Sequence, residues 1–176
     1  MIEGDFLIIL KSGEDIALSN ADAIVNASNG VGYMGGKSGI RKRKRGVAES
    51  LHYVSKGEIE KLARKKCQEH SVFGYAPGSI FITPAPNLSA QSIIHAVTMR
   101  FPGSMSKLKT IKALVEKIIQ VAESNNYETV AVPMLGTGTG KLDSLKVMKI
   151  YEQYFNESKI IFQVYCNVSE IDEMTQ

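Results

Sequence analysis

Asn26 and Asn29 lie in the apolar run Ala23-Ile24-Val25-Asn26-Ala27-Ser28-Asn29, and a glycine pair, Gly35-Gly36, follows closely. Amide side chains carried into a buried strand must find hydrogen-bond partners, and glycines just beyond let a backbone approach a ligand. In open α/β sheets the ligand crevice lies outside the carboxyl ends of the strands. A second segment is built alike. The strand-like Thr129-Val130-Ala131-Val132-Pro133-Met134-Leu135 runs directly into Gly136-Thr137-Gly138-Thr139-Gly140. A loop of this kind can turn several backbone N–H groups into one anion-binding concavity, and the helical pattern after it adds a positive dipole end. The chemistry indicated is phosphate binding. Glycine pairs also punctuate ordinary turns, but two strands that both end in glycine loops favour a site.

The common nucleotide motifs do not fit. Gly140-Lys141 would close a P-loop, yet its first glycine falls on Leu135 and the residue after Lys141 is Leu142 rather than Ser or Thr. Counting from Gly136 and Gly138, the third glycine of a dinucleotide fingerprint lands on Lys141. Metal chemistry is poorly served: Cys67 and His70 share a helical spacing, but His52, His95 and Cys166 complete no zinc pattern. No metal and no cofactor are expected, and His95, within an apolar strand, reads as a hydrogen-bonded core histidine.

The elements that must position these loops alternate. Phe6 to Leu10 and Ala23 to Ala27 read as strands, and Gly39 to Val54 as a helix with Ile40, Val47, Ala48, Leu51 and Val54 on one face. Glu58 to His70 is a second helical stretch. Strands are expected at Ser79 to Thr83 and Ser92 to Val97, and a long amphipathic helix runs from Leu108 through Ala122. Strand (Thr129 to Leu135), helix (Asp143 to Phe155) and strand (Ile160 to Tyr165) complete the pattern, giving an α/β architecture with a mixed, largely parallel sheet.

At 176 residues and 44% hydrophobic content the chain fits one domain, residues 1–176, with one sizeable core. Glu3 and Asp5 in the first residues do not suit a secretory signal, no apolar run approaches a membrane span, and two cysteines form no disulfide framework. A cytoplasmic setting without membrane contact is expected. Charge is segregated: Lys37 to Lys66 holds 11 Lys and Arg against 3 Glu, in a chain of net charge +3. Arg41-Lys42-Arg43-Lys44-Arg45 falls in the opening turns of the expected first helix, where the dipole disfavours cations. The run reads as a solvated face or as a footprint for a polyanion such as nucleic acid, or for an acidic partner.

With the segments in order, the chain resembles a macrodomain, the module that binds ADP-ribose. Gly13-Glu14-Asp15-Ile16 is similar to the family's Gly-Asp-Ile motif with one residue inserted, DAIVNASN (22–29) to its DAIVNAAN, and SIIHAV (92–97) to its VIHTV strand. PGSIFITPAPNL (77–88) and VPMLGTGTG (132–140) resemble its threonine-proline turn and its phosphate loop. The resemblance implies a three-layer α/β/α sandwich and a ligand, ADP-ribose or a derivative, free or attached to a macromolecule, and it adds polymeric ADP-ribose to the polyanions that the basic run could contact. It assigns Asp15, with Ile16 beside it, to the adenine amino group, which an acceptor-only carboxylate suits. Asn29 is assigned to the distal ribose and Gly136, Thr137, Gly138, Thr139 and Gly140 to the diphosphate, with Gly35 and Gly36 as the facing loop. Tyr165 matches an aromatic that packs on adenine, or is simply a core tyrosine.

The same resemblance exposes departures. Hydrolytic members carry an aspartate where this chain has Ser38, and a hydroxyl without an adjacent base is no general base near neutral pH. Gly140 stands in place of an aromatic, and Lys141 in place of the next glycine. If the chain is an ADP-ribosyl hydrolase, its catalytic candidates are Lys37, Ser38 and Lys141, the lysines through a lowered pKa.

Overall fold

Six strands form one sheet in the order β1-β6-β5-β2-β4-β3, where β1 is Ile8–Ser12, β2 Ala23–Asn29, β3 Ile80–Pro84, β4 Ser92–Met99, β5 Thr129–Pro133 and β6 Ile161–Cys166. This is a computed structural model, describing residues 8–37 and 46–175. All neighbouring strands are parallel except β3, which runs antiparallel to β4 at one edge. The helices are α1 (Val47–Val54), α2 (Glu58–His70), α3 (Leu108–Ser124), α4 (Ser144–Phe155) and α5 (Val168–Thr175).

Strand alternation sends side chains to two cores, one on each face of the sheet. Ala23, Val25, Ile94, Ala96, Val130, Val132, Phe162 and Val164 face α3 and α4, whose stripes supply Ile111, Leu114, Val115, Ile118, Val147, Tyr151 and Phe155. The Phe155 ring lies 3.7 Å from that of Phe162. Ile24, Ile93, Ala131 and Tyr165 face the other way, with Leu51 of α1 and Ile59 of α2. The arrangement is a three-layer α/β/α fold with a mixed, mostly parallel sheet. Among the described residues no helix is long and apolar enough to cross a membrane, and no cluster of His, Cys, Asp and Glu could hold a metal ion.

Several boundaries move from those expected. The strand expected from Thr129 to Leu135 stops at Pro133, whose carbonyl accepts a 2.6 Å hydrogen bond from Tyr151 Oη; that hydroxyl accepts in turn from Leu135 N–H at 3.0 Å. A side chain from α4 thus takes over where the ladder ends. Asp143 caps α4 instead of joining it, accepting from Lys146 N–H at 2.9 Å. The first strand reaches Ser12, and Phe6 lies outside the described residues. Of the helix expected from Gly39 to Val54, the described part begins at Val47 after the N-cap Gly46; Ile40, Ser38 and the run Arg41, Lys42, Arg43, Lys44 and Arg45 lie outside the described residues. A 3-10 turn at Ile16–Leu18 and helix α5 were not expected.

His95 is fully buried, as its apolar strand suggests. Thr83 Oγ1 donates to the Pro84 carbonyl at 3.1 Å and so receives the His95 Nε2 proton at 3.0 Å. His95 Nδ1 then accepts from Asn26 Nδ2 at 3.2 Å, across a registered β2–β4 pair. Burial lowers the His95 pKa from 6.5 to about 3. Its ring ends a stack in which His70, Tyr75, Phe81 and His95 follow one another at centroid distances of 3.9, 4.7 and 4.5 Å.

Candidate functional site

A cleft of about 800 Å³ opens at the carboxyl ends of β1, β6, β5, β2 and β4. The expected residues Asp15, Ile16, Asn29, Gly35, Gly136, Thr137, Gly138, Thr139, Gly140 and Tyr165 all line it. Gly36 does not, and neither do Lys37 and Lys141, which are exposed.

The loop after β5 leaves a run of backbone donors open beside the cleft. Its internal bonds run from Thr137 N–H to Met134 O, Lys141 N–H to Gly138 O and Leu142 N–H to Gly136 O. The N–H groups of Gly138, Thr139 and Gly140 find no acceptor among the described residues. Three successive donors without partners, on a loop lining a cleft, suit a diphosphate. Gly136 turns the chain with φ +79°, a conformation that favours glycine. Gly140 is fixed for another reason: a Cβ there would fall 2.4 Å from Ser106 Oγ and 2.5 Å from the Gly136 carbonyl oxygen. Ser106 N–H meanwhile donates to Gly140 O at 3.1 Å. Thr137 Oγ1 lies within hydrogen-bond reach of the Met134 carbonyl and of the Glu170 carboxylate, whose other oxygen accepts from Asn167 N–H at 2.8 Å.

Across the cleft, Asp15 caps the 3-10 turn. Its Oδ1 accepts from Ala17 N–H at 3.1 Å and from Ser50 Oγ at 2.7 Å. Asn29 closes the loop beyond β2 with its amide: Oδ1 accepts from Val31 N–H (3.2 Å) and Tyr33 N–H (3.1 Å), and Nδ2 donates to Tyr33 O (2.8 Å). That leaves Nδ2 one further proton. Met34 and Gly36 give their N–H groups to Glu60 Oε2 at 2.7 and 2.9 Å, and Gly36 O accepts from His52 Nε2 at 2.7 Å. Tyr165, 8% exposed, closes the floor near the end of β6, beside Lys11 of β1.

Charge is distributed unexpectedly for an anion site. Glu14, Asp15, Glu49 and Glu170 line the cleft, and among the described lining residues there is no Lys, Arg or His. Sequence reasoning missed Glu60, His52 and Glu170. They sit on α2, α1 and α5 in ordinary amphipathic surroundings, and only the tertiary fold brings them to the loops.

A model of the Macro domain family matches residues 25–151. A protein of Aquifex aeolicus is 31% identical over 121 residues, which is 69% of this chain and 64% of that protein. An Enterobacter protein named O-acetyl-ADP-ribose deacetylase is 30% identical over 125 residues, 70% of this chain and 63% of its own. The match spans a little under two thirds of the length of these curated relatives. Among solved structures, the macrodomain of Mycobacterium tuberculosis DarG superposes with a TM-score of 0.75 at 27% identity, covering 90% of this chain and 96% of that one. The Oceanobacillus iheyensis macrodomain with ADP has the same fold, with a TM-score of 0.75, 17% identity and coverage of 94% and 87%.

Proposed function

The chain belongs to the Macro domain family, and we propose that residues 1–176 form one macrodomain whose cleft binds ADP-ribose or a derivative that carries it, free or on a macromolecule. The N–H groups of Gly138, Thr139 and Gly140, unpartnered among the described residues, carry this reading, because the described lining holds no cation and these backbone donors, with the helix end beyond them, suit a diphosphate. Asp15 accepts from the adenine amino group, Tyr165 packs beside the base, and the spare Asn29 proton and the Gly35 backbone face the distal ribose. A solved neighbour with ADP bound and a relative named for an ADP-ribose derivative support the assignment. Hydrolysis of the bound derivative would be the chemistry of that named relative. Here it would need groups other than Lys37 and Lys141, which stand outside the lining.

Calorimetric titration with ADP-ribose, ADP and AMP tests the proposal. All three are expected to bind, ADP-ribose most tightly. In Asp15→Asn the side chain keeps an acceptor for the Ala17 and Ser50 bonds while its second oxygen becomes a donor facing the adenine amine. Affinity is expected to fall about tenfold or more, the cost of one unmatched buried donor. A folded wild-type protein with no measurable affinity for ADP-ribose would refute the reading.

A further inference from the structure

Three side chains from three elements grip the loop that follows β2. Asn29 of β2 holds Tyr33 N–H and O, Glu60 of α2 holds Met34 N–H and Gly36 N–H, and His52 of α1 holds Gly36 O. Five backbone groups of Tyr33, Met34 and Gly36 are therefore pinned. Glu60 is 6% exposed and His52 2%, and neither lines the cleft. Burying a carboxylate is costly unless it is paired and hydrogen-bonded. Glu60 meets that cost with two N–H donors and with Arg64 Nη1 3.7 Å from its Oε1. The His52 ring must carry its proton on Nε2 to donate to Gly36 O, which fixes the tautomer.

We infer that Glu60 and His52 are positioning residues for the distal-ribose end of the cleft: they hold the Tyr33–Gly36 wall in its binding shape before the ligand arrives. This rests on the ADP-ribose reading above. The glycines Gly35 and Gly36, with φ of +128° and +59°, have many alternative conformations to lose. A loop already held in place spares the ligand that ordering cost. The effect is selective. ADP ends at its second phosphate and carries no distal ribose, so it gains little from the wall, whereas ADP-ribose reaches it.

The test compares affinities for ADP-ribose and ADP in the wild type, Glu60→Ala, Glu60→Gln and His52→Ala. Glu60→Ala strands two N–H groups and is expected to weaken ADP-ribose binding about tenfold while changing ADP binding less than about twofold. Glu60→Gln keeps a carbonyl oxygen able to accept both N–H groups and is expected to restore most of the affinity. His52→Ala is expected to show the same selective loss, more weakly. Amide hydrogen exchange in the unliganded proteins reads the wall directly: Met34 and Gly36 are expected to be protected in the wild type and to exchange faster in Glu60→Ala, with Val25 in the core unchanged. Equal losses for both ligands, an unchanged ADP-ribose to ADP ratio, or unprotected Met34 and Gly36 amides in the wild type would overturn the inference. The protection of Met34 and Gly36 in the wild type stands as a test even if the alanine variant unfolds. Wild-type protein that binds ADP but not ADP-ribose overturns the parent reading as well, whereas selective binding without a Glu60 effect overturns only this one.

Discussion

Single residues here do work that their types alone do not reveal. His95 is neutral in the core, donating to Thr83 and accepting from Asn26, and its pKa is lowered by burial to about 3. The unfolded chain takes up this proton near pH 6.5 and the folded chain only near 3. Between those values the unfolded state binds more protons, so stability is full above pH 6.5 and falls as pH drops, by up to about 1.4 kcal/mol per pH unit from this group. Urea denaturation at pH 7, 5.5 and 4.5 is expected to show that slope, and His95→Gln to flatten it. A variant with the wild-type slope would contradict the assignment. Asn29 illustrates how one residue can serve two ends. Its position beside the cleft follows from the apolar run before it, but its commitment to Val31 and Tyr33 depends on a loop conformation that no residue pattern specifies.

At the scale of elements, the long periodic segments were legible: the helix at Glu58–His70 and the α3 stripe have enough apolar repeats to define their period. Short segments were less so. Helix α5, Val168–Thr175, is largely polar and owes its place to the Asn167–Glu170 cap and to the 136–140 loop it meets through Thr137. The end of β5 was also misjudged, because apolar Met134 and Leu135 look like strand, whereas a tyrosine eighteen residues past Pro133 ends it. Burial pushes the Tyr151 hydroxyl's pKa upward, so it remains protonated and able to donate to Pro133 O while accepting from Leu135 N–H. Tyr151→Phe strands both groups and is expected to cost about 1–3 kcal/mol of stability. Thermal or urea unfolding measures it, and a loss below about 0.5 kcal/mol would show that the loop finds other partners.

For the whole molecule, the order of segments along the chain disclosed the layered fold and the two loops that face each other, while the charge of the cleft was hidden. The +8 between Lys37 and Lys66 says nothing of the cleft itself, whose described lining carries four acids and no cation. Backbone donors are not screened as exposed ion pairs are. ADP-ribose affinity is therefore expected to change less than about threefold between 50 and 500 mM NaCl. Polyanion binding through Arg41, Lys42, Arg43, Lys44 and Arg45, if measured with a single-stranded oligonucleotide, is expected to fall steeply over the same range. A steep fall for ADP-ribose itself would bring that basic run into the pocket.

The crowding at Gly140 bears on which residues this turn can accept. An alanine at that position already collides with Ser106 and with the Gly136 carbonyl, so the aromatic side chain that marks hydrolytic members is not one substitution away. Removing the Ser106 side chain clears only one of the two obstacles, because the other is main chain. Any side chain at residue 140 therefore requires the 136–140 turn to be redrawn first. The identity of this residue and the course of the turn are a single choice, not two independent ones.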